Sequence, residues 1–393
     1  MKQSNLFPYS TFQVCSVDLT HESFHDLLET ALPSEPCSEA RLFLFSASRE
    51  NLLHFFSIWT YKVFSLPLFS DFRERYILAL KSDPFPNNST PDFLFNPYQP
   101  WLNQFDLGRL SAILVDKSLL FLAINCLDHI ELKRGLKFKQ PEHSVRFFLA
   151  HIFVKLILSS ELLVSPDKIR FAYNLYGKPY LANLSHESCF SFNFSDSGIR
   201  CALLLSYNGE VGLDIEEDSL GLYLDNDKNL PLSTKAKEIV DSGLFFSHKE
   251  QLLIRSEGNV QFYKHWTKKE AFLKWLGVGL VDNLSEMDLS IGSQLVTPQF
   301  KFTDREVLEE NLVDSDIISF DFKQAAEIRS ELFPNSSLLV RSRHDKIKTM
   351  SQDLQVDSCN NSCFVFTFEC NELVISCAMT KPESTRLINL DEL

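Results

Sequence analysis

The chain has 393 residues, of which 45% are hydrophobic and 23% are charged. This composition is typical of a globular protein and excludes disorder over the whole length. The net charge of −14 at pH 7 disfavours general nucleic-acid binding, because proteins that neutralise phosphates usually carry a basic surface.

Cysteine usage and the N-terminal sequence bear on the cellular compartment. The nine Cys residues are scattered without close His partners, which predicts reduced thiols rather than a disulfide framework or a zinc site. The first residues hold no apolar core of signal-peptide length, and the longest apolar stretch, 147–158, is interrupted by His151 and Lys155. We therefore expect a cytoplasmic protein with no membrane segment.

The first hundred residues carry no motif that indicates a function. The pattern at 41–46 predicts a strand, and 48–64 predicts a helix with Ser48 as its N-cap. Five prolines then lie in the Asn- and Ser-rich segment 82–100, where neither a helix nor a central strand could continue. We place a boundary there and treat residues 1–104 as an extension of unknown role.

Downstream of that boundary the sequence mixes strand and helix signals. Residues 119–127 are strand-like, and 143–163 show the periodicity of a long amphipathic helix. Within 199–217, the pair Asn208-Gly209 predicts a two-residue hairpin turn, because both residues tolerate positive φ.

The C-terminal part begins with a second helical pattern. Residues 266–277 have helical periodicity and end at Gly277, a suitable C-cap. The segment 300–358 is polar and shows no clear periodicity. Three further strands are predicted, at 287–292, 362–369 and 371–380 with Asn371 in the last turn.

Two carboxylates stand two residues apart on the predicted strand at 210–217. Because side chains alternate along a strand, Asp214 and Glu216 point to the same face. One interpretation is a polar strand end that opens into solvent. The other is a Mg²⁺ site, since that ion takes oxygen ligands and commonly uses one or two carboxylates together with substrate phosphates.

An acid and a lysine share one face of the next helix. Glu270 and Lys274 are four residues apart, with the glutamate on the N-terminal side. Alone, this spacing indicates no more than a surface ion pair worth about 0.3–0.5 kcal/mol. Its significance comes from its ordered neighbours, which are a Gly-Lys-Pro turn at 177–179, the stretch SFNFSDSG at 191–198 and the acidic strand.

Other catalytic motifs are missing from the sequence. It contains no Gly-x-Ser-x-Gly elbow, no Walker-type loop and no His-Glu-x-x-His run, so nothing favours a hydrolase, a P-loop protein or a zinc protease. His151, His248 and His265 lie on helical segments, where we expect packing or surface positions rather than ligands.

The ordered set YGKPYL, FNFSDSG, VGLDIEE, WTKKEAFLK and GVGL resembles the Sfp-type 4'-phosphopantetheinyl transferases. The sequences FVFTFEC and LVISCAM near the C-terminus are also similar to that family. The resemblance covers residues 105–393. It implies an α+β fold with two similar lobes, 105–209 and 210–393, each a small, mainly antiparallel sheet packed on a long helix, with the site in the cleft between them.

Members of this family transfer the 4'-phosphopantetheine group of coenzyme A to a serine hydroxyl of an acyl or peptidyl carrier protein and release 3',5'-ADP. By resemblance, Asp214, Glu216 and Glu270 hold Mg²⁺, and Lys274 stabilises the departing phosphate. A serine hydroxyl is a weak nucleophile and needs a base, for which Glu270, directly or through a metal-bound water, is the candidate.

The resemblance also implies contacts to coenzyme A. The implied residues are Arg134, Arg146, Lys178, Ser195, Asp196 and Lys274. Residues 131–155 carry six cations against two acids, a local charge of +4, and we expect part of the docking surface for an acidic carrier protein there. For Arg134 and Arg146, a solvated helix start is an equally good explanation.

The chain departs from the family at Asp196, where a histidine that helps to hold the pyrophosphate is usual. An aspartate about 4 Å from a phosphate would cost about 1–4 kcal/mol. Either Asp196 turns away, or coenzyme A binds more weakly, or activity is lost. Segments 219–243 and 300–358 are longer than the family needs, so we expect insertions in the second lobe that affect carrier recognition rather than catalysis.

Two hypotheses follow. The first is a monomeric, Mg²⁺-dependent phosphopantetheinyl transferase of the holo-carrier-protein synthase type, with no nucleic-acid or membrane partner. The second is a catalytically weak or inactive relative that binds carrier proteins or coenzyme A. Asp196 and the unfamiliar extension favour the second. The three acids and Lys274 favour the first, because clustered carboxylates repel one another unless a cation relieves them.

Overall fold

The computed structural model describes residues 12–16, 40–81, 106–174, 176–182, 190–207, 209–217, 232–278, 284–289, 300–302, 313–320, 363–370 and 373–380. The helices in these ranges are α1 (Arg49–Val63), α2 (Ser70–Lys81), α3 (Leu107–Leu114), α4 (Lys117–Cys126), α5 (His129–Gly135), α6 (Pro141–Leu162), α7 (Thr234–Asp241), α8 (His248–Glu257) and α9 (Asn259–Leu276). The strands are β1 (Phe12–Ser16), β2 (Ala40–Ser46), β3 (Phe171–Tyr173), β4 (Pro179–Leu181), β5 (Ser191–Ser197), β6 (Arg200–Ser206), β7 (Val211–Glu217), β8 (Phe300–Phe302), β9 (Val313–Phe320), β10 (Cys363–Cys370) and β11 (Leu373–Thr380). This mixture of helices and small sheets confirms the predicted α+β class.

The first sheet has the strand order β5-β6-β2-β1-β8. Strands β5, β6 and β2 pair antiparallel, whereas β1 pairs in parallel with both β2 and β8. The long helix α6 covers this sheet, and the ring of Phe45 on β2 stacks on Phe153 of α6 with centroids 4.7 Å apart. The predicted helix at 143–163 is thus confirmed as α6, and it packs on the sheet as expected.

Residues 40–81 share a hydrophobic core with residues 106–207. Strand β2 pairs with β6 along its whole length, and Arg41 on that strand forms a buried ion pair with Glu161 of α6 at 2.9 Å. Trp59 of α1 donates to the Ser160 hydroxyl at 2.8 Å. This part of the predicted extension is therefore built into the first sheet and its helix layer. The domain limits themselves stay a prediction.

The second sheet has the order β7-β11-β10-β9, with every pair antiparallel. Helix α9 packs against β7 and β11. Apolar residues from both sheets meet in one cluster that includes Leu42, Leu204, Leu213 and Ile375. A hydrogen bond of 2.9 Å from the Leu213 amide to Asn193 Oδ1 joins β7 to β5. The arrangement as two similar lobes stays a prediction.

Several local predictions are confirmed. Ser48 caps α1, accepting from the Asn51 amide at 3.2 Å. Gly277 ends α9 with φ of +75°. The strands at 41–46 and at the two C-terminal positions correspond to β2, β10 and β11, whereas Asn371 lies outside the described residues.

The strand predicted at 119–127 is wrong, because these residues form helix α4. The Asp116 side chain accepts from the amides of Ser118 and Leu119 and starts the helix. Every residue from 119 to 126 is buried, so no polar face marks the period. A short run that is apolar on all sides cannot be assigned to helix or strand by periodicity.

The hairpin predicted at Asn208-Gly209 is also wrong. Strands β6 and β7 flank that pair but belong to different sheets, because both edges of β6 are already paired, one to β5 and one to β2. The tight hairpin instead joins β5 to β6, with Ser197 opposite Arg200 and Gly198 at φ +59° in the turn.

Two segments in the C-terminal part of the chain also differ from what the sequence indicated. Of the strand predicted at 287–292, residues 287–289 are not a strand but follow a short 3₁₀ turn at Leu284–Glu286, and the rest lies outside the described residues. The segment 300–358, in which the sequence shows no clear periodicity, contains β8 of the first sheet and β9 of the second.

Two further predictions concern thiols and membranes. Cys126, Cys201 and Cys377 are buried free thiols, in agreement with the prediction of reduced cysteines. Within the ranges that the structure describes, no helix combines the length and apolar character needed to cross a membrane.

Candidate active site

Gly212 allows strand β7 and helix α9 to lie in close contact. A Cβ atom at this position would be 2.0 Å from the carbonyl oxygen of Ala271 and 2.3 Å from the amide nitrogen of Trp275. Because these are main-chain atoms, any larger residue would force the strand away from the helix. Asp214 and Glu216 share the strand face of Gly212, so both carboxylates lie on the side that packs against α9.

Lys274, Asp214 and Ser195 meet where α9, β7 and β5 come together. Lys274 Nζ lies 2.6 Å from Asp214 Oδ1 and 3.1 Å from Ser195 Oγ. The Ser195 hydroxyl donates to the same Asp214 oxygen at 2.9 Å. Burial disfavours the charge on Lys274, but the neighbouring carboxylates, Asp214 first, outweigh it and raise the pKa of the ammonium. The lysine therefore stays charged in this cluster.

Two glutamates stand close enough to this cluster to affect its charge. Burial, followed by the charges of Asp214 and Glu216, raises the pKa of Glu270 to about 7. Burial and Asp214 likewise raise the pKa of Glu216, whose Oε2 accepts from the Ser197 hydroxyl at 3.0 Å. The structure thus brings the three predicted metal-site acids into one electrostatic neighbourhood.

The chemistry of these acids fits a divalent cation that takes oxygen ligands. Asp214 is 6% exposed, and its Oδ2 is buried without a hydrogen-bond partner among the described residues. A cation would satisfy this oxygen and relieve the repulsion from Asp214 and Glu216 that adds to the effect of burial on the pKa of Glu270. In the described part of the chain, however, no three His, Cys, Asp or Glu side chains already surround one point, and Lys274 occupies the other oxygen of Asp214.

A cavity of about 510 Å³ opens beside the cluster. One part of its wall is aromatic and the other is charged. Six of the predicted site residues line it, namely Arg134, Arg146, Lys178, Asp196, Glu270 and Lys274. The cavity wall does not include Ser195, Asp214 or Glu216. Ser195 and Asp214 instead contact Lys274, which does line the cavity.

Each of the two arginines contacts a neighbouring residue of the protein. The Arg134 guanidinium lies over the Phe147 ring, 5.6 Å from its centroid. Arg146 donates to the Gly198 carbonyl oxygen at 2.7 Å, at the β5–β6 turn. Both arginines line the cavity, Arg134 as an exposed residue and Arg146 as a half-buried one, and their contact with coenzyme A stays a prediction.

Lys178 is hydrogen-bonded to other residues of the protein. Its Nζ donates to Glu210 Oε2 at 2.8 Å, to the Val211 carbonyl at 2.9 Å and to the Trp275 carbonyl at 3.4 Å. These contacts tie the Gly-Lys-Pro turn to the start of β7 and to the end of α9. The Lys178 ammonium therefore has a structural role in this arrangement. Its contact with a phosphate stays a prediction.

Asp196 is among the residues that line the cavity, and it is exposed. Partial loss of solvent around this carboxyl raises its pKa. The positive charges of Lys274 and Arg146 act in the opposite direction. The three outcomes considered for this aspartate stay predictions.

Sequence reasoning did not identify His151 as a residue of the cavity, and it counted the buried Lys155 among the surface cations. His151 takes the expected packing position, against Phe147 and Phe194, and it also lines the cavity from α6. Lys155, counted among the local cations, is fully buried against Glu131 and contributes no surface charge. For His151, the available signal was its spacing from Arg146 and Phe147 on the same helix.

The fold and the site together define a class. They describe an α+β protein in which a lysine–carboxylate–serine cluster stands beside an aromatic cavity with two positioned arginines. No family model matches the chain. Curated relatives, however, share its sequence.

The chain is 32% identical over 165 residues to the 4'-phosphopantetheinyl transferase HetI of a Nostoc species, covering 41% of this chain and 63% of the relative. It is 30% identical over 148 residues to the 4'-phosphopantetheinyl transferase Sfp of Bacillus subtilis, covering 37% and 57%. It is 28% identical over 178 residues to the L-aminoadipate-semialdehyde dehydrogenase-phosphopantetheinyl transferase of Xenopus laevis, covering 43% and 56%. The chain is thus similar, over about two fifths of its length, to proteins named phosphopantetheinyl transferases. It spans less than two thirds of the length of each of these relatives.

Proposed function

We propose that the protein transfers the 4'-phosphopantetheine group of coenzyme A to a serine hydroxyl of an apo acyl or peptidyl carrier protein, releasing 3',5'-ADP. The observation that carries this proposal is the cluster of Lys274, Asp214 and Ser195, whose lysine lines the cavity. Arg134 and Arg146 on the same wall suit the remaining phosphate charges of coenzyme A.

The reaction is a phosphoryl transfer. The oxygen of the carrier serine attacks the phosphorus that bears pantetheine, the bond from that phosphorus to the 3',5'-ADP oxygen breaks, and the serine proton passes to a base. Glu270 suits the base role, directly or through a metal-bound water, because its side chain lines the cavity together with Lys274.

Lys274 suits the stabilisation of the leaving phosphate. Asp214 keeps its ammonium charged, and Ser195 fixes its direction, so the charge needs little rearrangement as the bond breaks. Asp214, Glu216 and Glu270 would hold Mg²⁺, which supplies charge neutralisation at the pyrophosphate when bound.

The carrier would approach a basic surface near the cavity. With Lys155 and Glu131 paired in the core, residues 131–155 still present Lys133, Arg134, Lys137, Lys139 and Arg146 against Glu142. Such a surface attracts an acidic partner despite the negative charge of the whole chain. A cytoplasmic location and a monomeric state belong to the same proposal.

The test is intact mass spectrometry of apo carrier proteins incubated with the protein, coenzyme A and Mg²⁺. We expect one phosphopantetheine group on at least one carrier, no gain after chelation of Mg²⁺, and a rate about 10²–10⁴-fold lower in Glu270→Gln. Glu257→Gln is the matched control, because Glu257 is exposed on the neighbouring helix α8. A Glu270→Gln protein with the wild-type rate would contradict the base assignment.

Asp196 supports a second candidate, a catalytically weak relative that binds coenzyme A or carrier proteins. Its carboxylate lines the cavity and would repel a phosphate. This candidate predicts coenzyme A binding with no mass gain on any carrier, so the same experiment, combined with calorimetry, separates the two.

A further inference from the structure

His151 of α6 is a neutral hydrogen-bonding group fixed at the cavity wall. Its Nδ1 lies 2.8 Å from the Phe147 carbonyl oxygen, one helical turn earlier. The imidazole stacks on the Phe147 ring with centroids 3.9 Å apart and meets Phe194 edge-on at 5.4 Å. Two aromatic contacts and one hydrogen bond leave the ring little freedom to turn.

These contacts decide which nitrogen carries the proton. A carbonyl oxygen can only accept, so Nδ1 donates and Nε2 keeps its lone pair. Burial lowers the pKa of His151 to about 3, and the charges of Lys155 and Arg134 act in the same direction against the weaker effect of Asp128. The ring is therefore neutral at physiological pH. Its hydrogen bond to the described residues is made at Nδ1 alone, which leaves Nε2 as an acceptor for a ligand in the cavity.

The surroundings indicate what this acceptor contacts. Phe171, Phe192 and Tyr173 add aromatic surface to the same cavity, which suits a flat heterocycle. Arg134 lies over the same Phe147 ring that His151 stacks on, so the acceptor and this cation are neighbours. A flat ring with an N–H group, joined to a phosphate, satisfies the aromatic wall, the acceptor and the arginine together.

We propose that His151 is a specificity-determining residue whose Nε2 accepts a hydrogen bond from the exocyclic amine of the adenine of coenzyme A. This inference rests on the proposed function, in which coenzyme A is the donor, and it takes the 3'-phosphate as the phosphate that Arg134 contacts. The pantetheine amides also carry N–H groups, but they lie beyond the pyrophosphate from that phosphate.

The test compares two nucleotides by isothermal titration calorimetry with Mg²⁺ present. One is coenzyme A, and the other is etheno-coenzyme A, in which the exocyclic nitrogen is closed into a ring and has no N–H. We expect the wild-type protein to bind coenzyme A about tenfold more tightly, the effect of one buried neutral hydrogen bond. In His151→Phe the two nucleotides should bind equally, at the lower affinity. His151→Gln, which keeps an acceptor, should retain part of the preference, and the exposed His248→Gln all of it.

The outcomes separate this inference from the function on which it rests. Wild-type protein that binds both nucleotides equally well refutes the role of His151 and leaves the transferase function standing. So does a His151→Phe protein that keeps the full preference, or that loses affinity for both nucleotides by the same factor. Wild-type protein that binds neither nucleotide removes coenzyme A as the donor and overturns both.

Discussion

The ion pair between Lys155 and Glu131 is expected to control the stability of the first sheet and its helices. The two side chains are 0% exposed, and Lys155 Nζ lies 2.5 Å from Glu131 Oε2. The same Glu131 oxygen accepts from the Asp128 amide at 2.8 Å, whereas Oε1 is buried without a partner among the described residues. Lys155 also lies 4.7 Å from the centroid of Phe171, a ring of the cavity wall.

Lys155→Met should lower the free energy of unfolding by about 3–5 kcal/mol, because it leaves a buried carboxylate without its cation. The double variant Lys155→Met with Glu131→Gln should recover most of this loss. Glutamine is neutral and can still accept from the Asp128 amide in the capping box, so we expect a remaining cost of about 1–2 kcal/mol.

The loss in the single variant should depend on pH. Burial raises the pKa of Glu131 even beside Lys155, and the methionine removes the opposing charge. A carboxyl whose pKa is higher in the folded than in the unfolded state holds its proton more tightly when folded, so stability falls as pH rises above the unfolded pKa. Lys155→Met should therefore be less destabilised at pH 5 than at pH 8.

Urea denaturation followed by tryptophan fluorescence and circular dichroism at both pH values measures these effects. Lys139→Met, at an exposed cation of the same segment, is the control and should change stability by no more than about 0.5 kcal/mol. The reasoning fails if Lys155→Met costs less than about 1 kcal/mol, or if the double variant is no more stable than the single one.

Two further predictions concern the site. Gly212→Ala should lower the free energy of unfolding by about 3 kcal/mol or more and abolish transfer, because the new methyl group meets main-chain atoms. Gly108→Ala, where the nearest atom is Asp106 Oδ1 at 3.4 Å in α3, should be neutral or stabilising by up to about 1 kcal/mol. Thermal denaturation compares them, and wild-type stability in Gly212→Ala would contradict the close packing of β7 on α9. Asp196→His should lower the apparent KM for coenzyme A severalfold by removing a negative charge from the cavity; steady-state kinetics that show an unchanged or higher KM would refute this.

Sequence alone determined the elements whose signals are local. The cap at Ser48 and the end of α9 at Gly277 each depend on residues within one or two turns, and both predictions hold. Helix α6 also forms where it was predicted, although it is buried on most of its sides rather than amphipathic. The common face of Asp214 and Glu216 likewise follows from strand geometry. The motifs also named the residues that the structure brings together around Lys274.

Only the tertiary structure decided what depends on distant partners. Helix α4 is apolar on every side, so its type was set by the packing around it. Strand β6 pairs with β2, more than 150 residues away in sequence, and not with β7. Burial made Lys155 a core residue and His151 a neutral acceptor at the cavity. Pattern and spacing describe a residue's neighbours along the chain, whereas strand pairing, burial and the resulting pKa shifts arise from neighbours in space.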